Sequence, residues 1–110
     1  MSDRRPLEVD LVTFADAHGN GASVLDVRNP DEYVAGHVPG AVLIPLGELA
    51  ARQAEIPDGD PLYVICAVGG RSLTAAKALV DAGYSAVSVV GGTNGWIEQG
   101  RPVIGGLSPA

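Results

Sequence analysis

The chain of 110 residues holds seven Lys and Arg against thirteen Asp and Glu, a net charge of −6, with 46% hydrophobic and 18% charged residues. This size supports one hydrophobic core and so one domain over 1–110, and the composition argues against disorder. The acidic balance argues against a nucleic-acid surface, and one cysteine rules out an internal disulfide or a metal site built on several thiolates.

In chain order, Leu7-Glu8-Val9 reads as a short edge strand. Asp10 then caps a helix over Leu11 to Ala17, ended by Gly19 to Gly21. Val24 to Val27 form a buried strand. Asn29-Pro30-Asp31-Glu32 opens a short helix, with Asn at the cap, Pro at the first position and acids in the first turn, and Gly36 stops it. Ala41 to Ile44 make the next apolar run, and a helix is expected across Leu46 to Ala54 before the turn cluster Pro57 to Pro61. Leu62 to Ile65 lead into Cys66. After the loop, Leu73, Ala76, Leu79 and Val80 share one helical face while Thr74, Lys77 and Asp81 share the other. Ala86 to Val90 form the last strand, and Gly91-Gly92 opens a final helical segment. The core spans about 7–104, and the tail 105–110 is expected to fray.

The apolar runs are unbroken rather than alternating. Strands of this kind are buried on both faces, which implies an α/β fold with a parallel sheet flanked by helices on both faces. Ligands of such sheets bind at the carboxyl ends of strands, where Cys66 and Asp26 lie. The segment Cys66-Ala67-Val68-Gly69-Gly70-Arg71-Ser72 leaves a strand, passes glycines and enters a helix. Its amides gather at a helix N-terminus and form an anion nest, which lowers a thiol pKa and favours the thiolate.

Three segments resemble the rhodanese family. Val24 to Arg28, with Glu32-Tyr33 and Gly36 to Ala41, is similar to its N-terminal signature. Cys66 to Ser72 is similar to its active-site loop, and Gly91-Gly92 with Gly95-Trp96 to its C-terminal signature. The resemblance covers about residues 7 to 104. It implies a single rhodanese-like domain with a five-stranded parallel sheet and sulfurtransferase activity. Cys66 would take a sulfane sulfur from a donor such as thiosulfate or a persulfide, hold it as a persulfide and pass it to a thiol or cyanide. The amides of Ala67, Val68, Gly69, Gly70, Arg71 and Ser72 would bind the substrate and hold the persulfide charge. Related phosphatases and arsenate reductases carry one more loop residue and His before Cys, where this chain has Ile65. A non-catalytic module that binds a partner or senses reactive sulfur is the alternative.

Arg71 has two readings, a ligand for a sulfonate or a structural pair with Asp26 or Glu32. Asp26 and Arg28 read as loop support, Asp26 accepting loop amides and Arg28 reaching acids in the next helix. His37 reads as a hydrogen-bonded structural histidine and Trp96 as packing. No cofactor or metal is implied. The expected partners are a small-molecule donor and acceptor, with a protein persulfide as another donor, and the expected state is a monomer. The neutral rim of Ala67 and Val68 under a net charge of −6 predicts slow turnover with thiosulfate. No apolar run reaches the ~18 residues of a membrane span. Arg4-Arg5 only weakly resembles a twin-arginine signal, so a reducing cytoplasm is the expected setting.

Overall fold

The computed structural model describes residues 6–110, and the Arg4-Arg5 pair lies outside the described residues. Strands β1 (Glu8–Val9), β2 (Val24–Asp26), β3 (Val42–Leu43), β4 (Leu62–Ile65) and β5 (Ala86–Val89) alternate with helices. These are α1 (Leu11–Gly19), α2 (Pro30–Ala35), α3 (Gly70–Asp81) and α4 (Gly92–Glu98). The strands form one parallel sheet in the order β1-β5-β4-β2-β3. The caps follow the side chains present: Asp10 Oδ1 accepts the Thr13 amide at 2.7 Å, and the Asn29 amide donates to Glu32 Oε1 at 3.0 Å.

The two-residue period of a strand divides the core into two layers. On one face, Leu25 and Val27 join Leu62, Val64 and Cys66, and Ala75, Ala76 and Leu79 of α3 cover them. On the other face, Val24, Tyr63, Ile65, Val87 and Val89 pack beneath Phe14 of α1, Tyr33 of α2 and Trp96 of α4. The sheet is therefore parallel, five-stranded and covered on both sides. No helix among the described residues is long and apolar enough to cross a membrane.

Three local expectations change. The helix expected over Leu46 to Ala54 is instead two 3₁₀ turns, Leu46–Glu48 and Gln53–Glu55. Gly47 weakens helix propagation at its start, and burial of Leu49 and Ile56 against the sheet sets the path. On α3 the inward face is Ser72, Ala75, Ala76 and Leu79, while Val80 is exposed. The helix packs on the sheet along this small-residue stripe, which lets it approach β4 and β5 closely.

The third change is the tail. Instead of fraying, it is pinned across the α2–β3 connection. The Gly106 amide donates to Val34 O at 3.0 Å, and the Gly40 amide donates to Pro109 O at 2.7 Å. His37 and Ile104 form an antiparallel bridge, and His37 Nε2 lies 2.9 Å from Ser108 O. Backbone groups of the buried connection are thus paired with the tail. His37 itself stacks on Tyr33 at 3.6 Å between ring centroids. Trp96 packs on Phe14 and donates Nε1–H to Pro102 O at 2.7 Å.

Candidate active site

Alternation along β4 sends the Cys66 side chain toward α3, where the strand ends and the chain turns. The turn is completed at Gly69, whose φ of +123° is disfavoured for any residue with a Cβ. Gly70 has no such need: it opens α3 without a positive φ, and a Cβ added there would meet nothing within 4 Å.

The orientation of the loop is decided by α4, an element to which no local sequence signal assigns a part in the site. The Thr93 amide donates to Cys66 O at 2.8 Å, Asn94 to Ala67 O at 3.0 Å and Gly91 to Val68 O at 3.3 Å. Successive loop carbonyls are drawn toward the start of α4, so the loop's amides turn the opposite way, toward the sulfur. The Gly69 amide reaches Cys66 Sγ at 3.1 Å.

A hydroxyl pair sits under the sulfur. Ser72 Oγ is 3.4 Å from Sγ and 2.7 Å from Ser88 Oγ, and both serines are fully buried. Burial by itself pushes the Cys66 thiol up. The Ser72 hydroxyl and the Ser72, Gly69 and Val68 amides outweigh that effect and hold the thiol below its ordinary value. Ser88 is a site residue that the sequence reading misses. Its one signal in the sequence is a polar side chain between Val87 and Val89 in a fully buried strand.

The alkylation rate of Cys66 with iodoacetamide is accordingly expected to titrate with a midpoint below the roughly 8.5 of an ordinary thiol. Ser72→Ala should move that midpoint upward, because it removes the largest favourable contact while burial remains. An unchanged midpoint in a folded Ser72→Ala variant would contradict the assignment.

Arg71 points to Glu32 in a two-pronged ion pair, with Nη1 to Oε1 at 2.7 Å and Nη2 to Oε2 at 2.8 Å. The Arg71 bonds hold the Glu32 carboxyl at about 2, against the opposing effect of its partial burial and with help from the Asn29 amide. A carboxyl depressed in the folded chain contributes stability above its unfolded value and loses it as pH falls. The urea midpoint is therefore expected to decline between pH ~4.5 and ~2, and Arg71→Met should flatten that decline.

Of the two candidate partners for Arg71, Asp26 is already engaged. Its carboxylate takes the Arg28 amide at 3.0 Å and the Arg28 guanidinium at 2.8 to 3.1 Å, while Arg28 Nη2 also donates to Gly36 O at 2.9 Å. Arg28 thus pairs within its own strand end rather than with the acids of α2, because Asp26 lies two residues away and is buried with it. Asp26 and Arg28 brace the β2–α2 junction, from which Glu32 reaches across to the Cys66 loop.

Fold, signature segments and cysteine cradle together define a class. The family model for the rhodanese-like domain matches residues 12–99, and the chain belongs to that family. It is 33% identical over 112 residues to thiosulfate sulfurtransferase 16 of Arabidopsis thaliana, covering 90% of this chain and 93% of that one. It is 43% identical over 92 residues to YrkF of Bacillus subtilis, covering 81% of this chain but only 50% of that protein. A rhodanese-related protein of Thermoplasma volcanium superposes with a TM-score of 0.81 at 33% identity, over 92% of this chain and 98% of that one. These likenesses support sulfur transfer as the general chemistry.

Proposed function

We propose that this chain is a sulfurtransferase that moves sulfane sulfur through a persulfide on Cys66. The observation that carries this reading is the set of polar groups gathered at one sulfur: the Gly69 amide donates to Cys66 Sγ at 3.1 Å, and the Ser72 hydroxyl oxygen lies 3.4 Å from it. Together with the neighbouring amides they hold the thiol below its ordinary value. Fixed donors of this kind stabilise a sulfur anion without reorganising when it forms.

The Cys66 thiolate attacks the outer sulfur of thiosulfate, a new S–S bond forms, and the old S–S bond breaks with its electron pair leaving on sulfite. With a persulfide donor, R–S–SH, attack on the terminal sulfur releases R–S⁻. In the second half, cyanide takes the outer sulfur as thiocyanate, or a thiol takes it as a new persulfide, and the Cys66 thiolate returns. Storing the sulfur covalently divides one difficult transfer into two easier ones. The chain has no second cysteine, so the acceptor is external.

The residues Ala67 to Ser72 would hold the charge on the loaded sulfur. Cys66 is only 1% exposed, an access that suits a donor presenting one sulfur end-on rather than a tetrahedral oxyanion. A thiolate of this type needs a reducing compartment such as the cytoplasm to stay free.

Intact-mass spectrometry after treatment with thiosulfate or polysulfide tests the reading. The expected result is a gain of one sulfur atom, removed by cyanide or dithiothreitol. A folded protein with a titratable thiol that gains no sulfur from either donor would overturn it.

A further inference from the structure

Beside the Cys66 loop lies a recess of about 330 Å³, with Arg28 and Gly36 among its lining residues. Its walls include Glu32, Ala35, Ala67, Asn94, Ile97 and Val103. Part of its wall is apolar and open: Ile97 is 48% exposed and Val103 38%. Two guanidiniums stand near this recess, and both are already paired with a carboxylate. Arg28 is buried against Asp26 and Gly36 O, and Arg71 has both terminal nitrogens on Glu32. With both pairs internally neutral, the remaining charge at the site is that of the thiolate, on a chain of net charge −6.

From these observations we propose that Glu32 selects the sulfur donor. By closing Arg71 into an ion pair, it disfavours the thiosulfate dianion and leaves the recess, whose walls include Ala35, Ala67, Ile97 and Val103, to alkyl persulfides, which carry at most one negative charge. The inference rests on the reading that Cys66 carries the transferred sulfur. The R group lies against Ala67, Ile97 and Val103, with the Asn94 side-chain amide as the neutral polar contact at its edge. The terminal sulfur of the protonated form, R–S–SH, is transferred to the Cys66 thiolate with R–S⁻ as the leaving group. That form adds no charge beside the thiolate, and its anion adds one where thiosulfate adds two. Thiosulfate, by contrast, brings two negative charges to a site where the loop's own cation, Arg71, is already paired with Glu32. Glu32 stays ionised throughout the working pH range, since its carboxyl is held at about 2.

Sulfur loading of Cys66 by the full chain, followed by intact mass, gives a rate with thiosulfate and a rate with benzyl persulfide. The ratio of these rates is the readout. The wild-type ratio is expected to be about 0.01, given dianion repulsion without steering. Glu32→Gln keeps an oxygen for the Asn29 amide, so α2 keeps its cap while Arg71 gains an uncompensated charge. The thiosulfate to benzyl persulfide ratio should then rise by about tenfold or more. The double variant Glu32→Gln with Arg71→Gln should return the ratio to within about threefold of wild type, because the freed cation is gone.

If Glu32→Gln fails to fold, Asn94→Lys replaces it as the test. Asn94 is exposed, and its backbone amide supplies the bond to Ala67. A new ammonium there should raise the same ratio by about threefold or more. The proposal is overturned by a folded Glu32→Gln or Asn94→Lys protein whose ratio stays at the wild-type value, or by a wild-type ratio near unity. Absence of loading from both donors in the wild type would instead overturn the persulfide reading, and this proposal with it.

Discussion

Cys66→Ser is expected to abolish sulfur loading while leaving the fold intact. The hydroxyl oxygen is smaller than sulfur and can accept from the Gly69 amide and face Ser72, so the cradle remains satisfied. What is lost is the nucleophile. The amides and the Ser72 hydroxyl bring a thiol below its ordinary value, but a serine hydroxyl starts far higher and stays protonated. Loading should fall by at least about 10⁴-fold, the order lost when a covalent nucleophile is removed. The check is intact mass with thiosulfate and with polysulfide, beside a thermal melt within about 5 °C of wild type. Sulfur taken up at the wild-type rate by Cys66→Ser would place the transfer elsewhere and sink the mechanism.

Gly92→Ala should carry the largest cost in stability among single-atom-scale changes. A Cβ at Gly92 would lie 2.5 Å from both Cys66 O and Ala67 O and 2.6 Å from the Ala67 carbonyl carbon, at a φ of +58°. These obstacles are backbone atoms of the Cys66 loop and cannot rotate aside. The clash and the left-handed backbone together cost about 2–4 kcal/mol. For a domain of this size that is a fall in melting temperature of roughly 10–25 °C.

The same displacement would reach the chemistry. Moving Cys66 O and Ala67 O off the Thr93 and Asn94 amides turns the loop, and the donors aimed at Sγ lose their aim. The thiol titration should therefore shift upward in whatever fraction remains folded. Gly70→Ala supplies the contrast in stability, since its added Cβ meets nothing within 4 Å, and its melting temperature should stay within about 3 °C of wild type. A Gly92→Ala protein that melts with the wild type would show that α4 does not press on the loop.

Much of this architecture is legible from short-range chemistry. An unbroken apolar run such as Leu62 to Ile65 announces a strand buried on both faces, and this is the central β4. Asp10, Asn29 and Pro30 mark helix starts because a cap acts within three residues of itself. Where the competing forces are nearly balanced, the local reading fails. Leu46 to Ala54 carries helix-forming residues, yet the burial of Leu49 and Ile56 bends it into 3₁₀ turns. The tail 105–110 reads as loose because its partners, Val34, His37 and Gly40, lie about 70 residues earlier.

The candidate site divides along the same line. The sequence by itself determined a lone cysteine at the end of a buried strand, a glycine turn after it and a helix N-terminus beyond, since all three are set by neighbours along the chain. Only the tertiary structure decided which way the loop faces and what surrounds it. Gly91, Thr93 and Asn94 pull its carbonyls outward, Ser88 backs Ser72 from the adjacent strand, and Glu32 takes Arg71 from across 39 positions. Those contacts join residues whose separation in sequence carries no local signal. Their geometry exists only after the parallel sheet has brought the carboxyl ends of β2, β4 and β5 together.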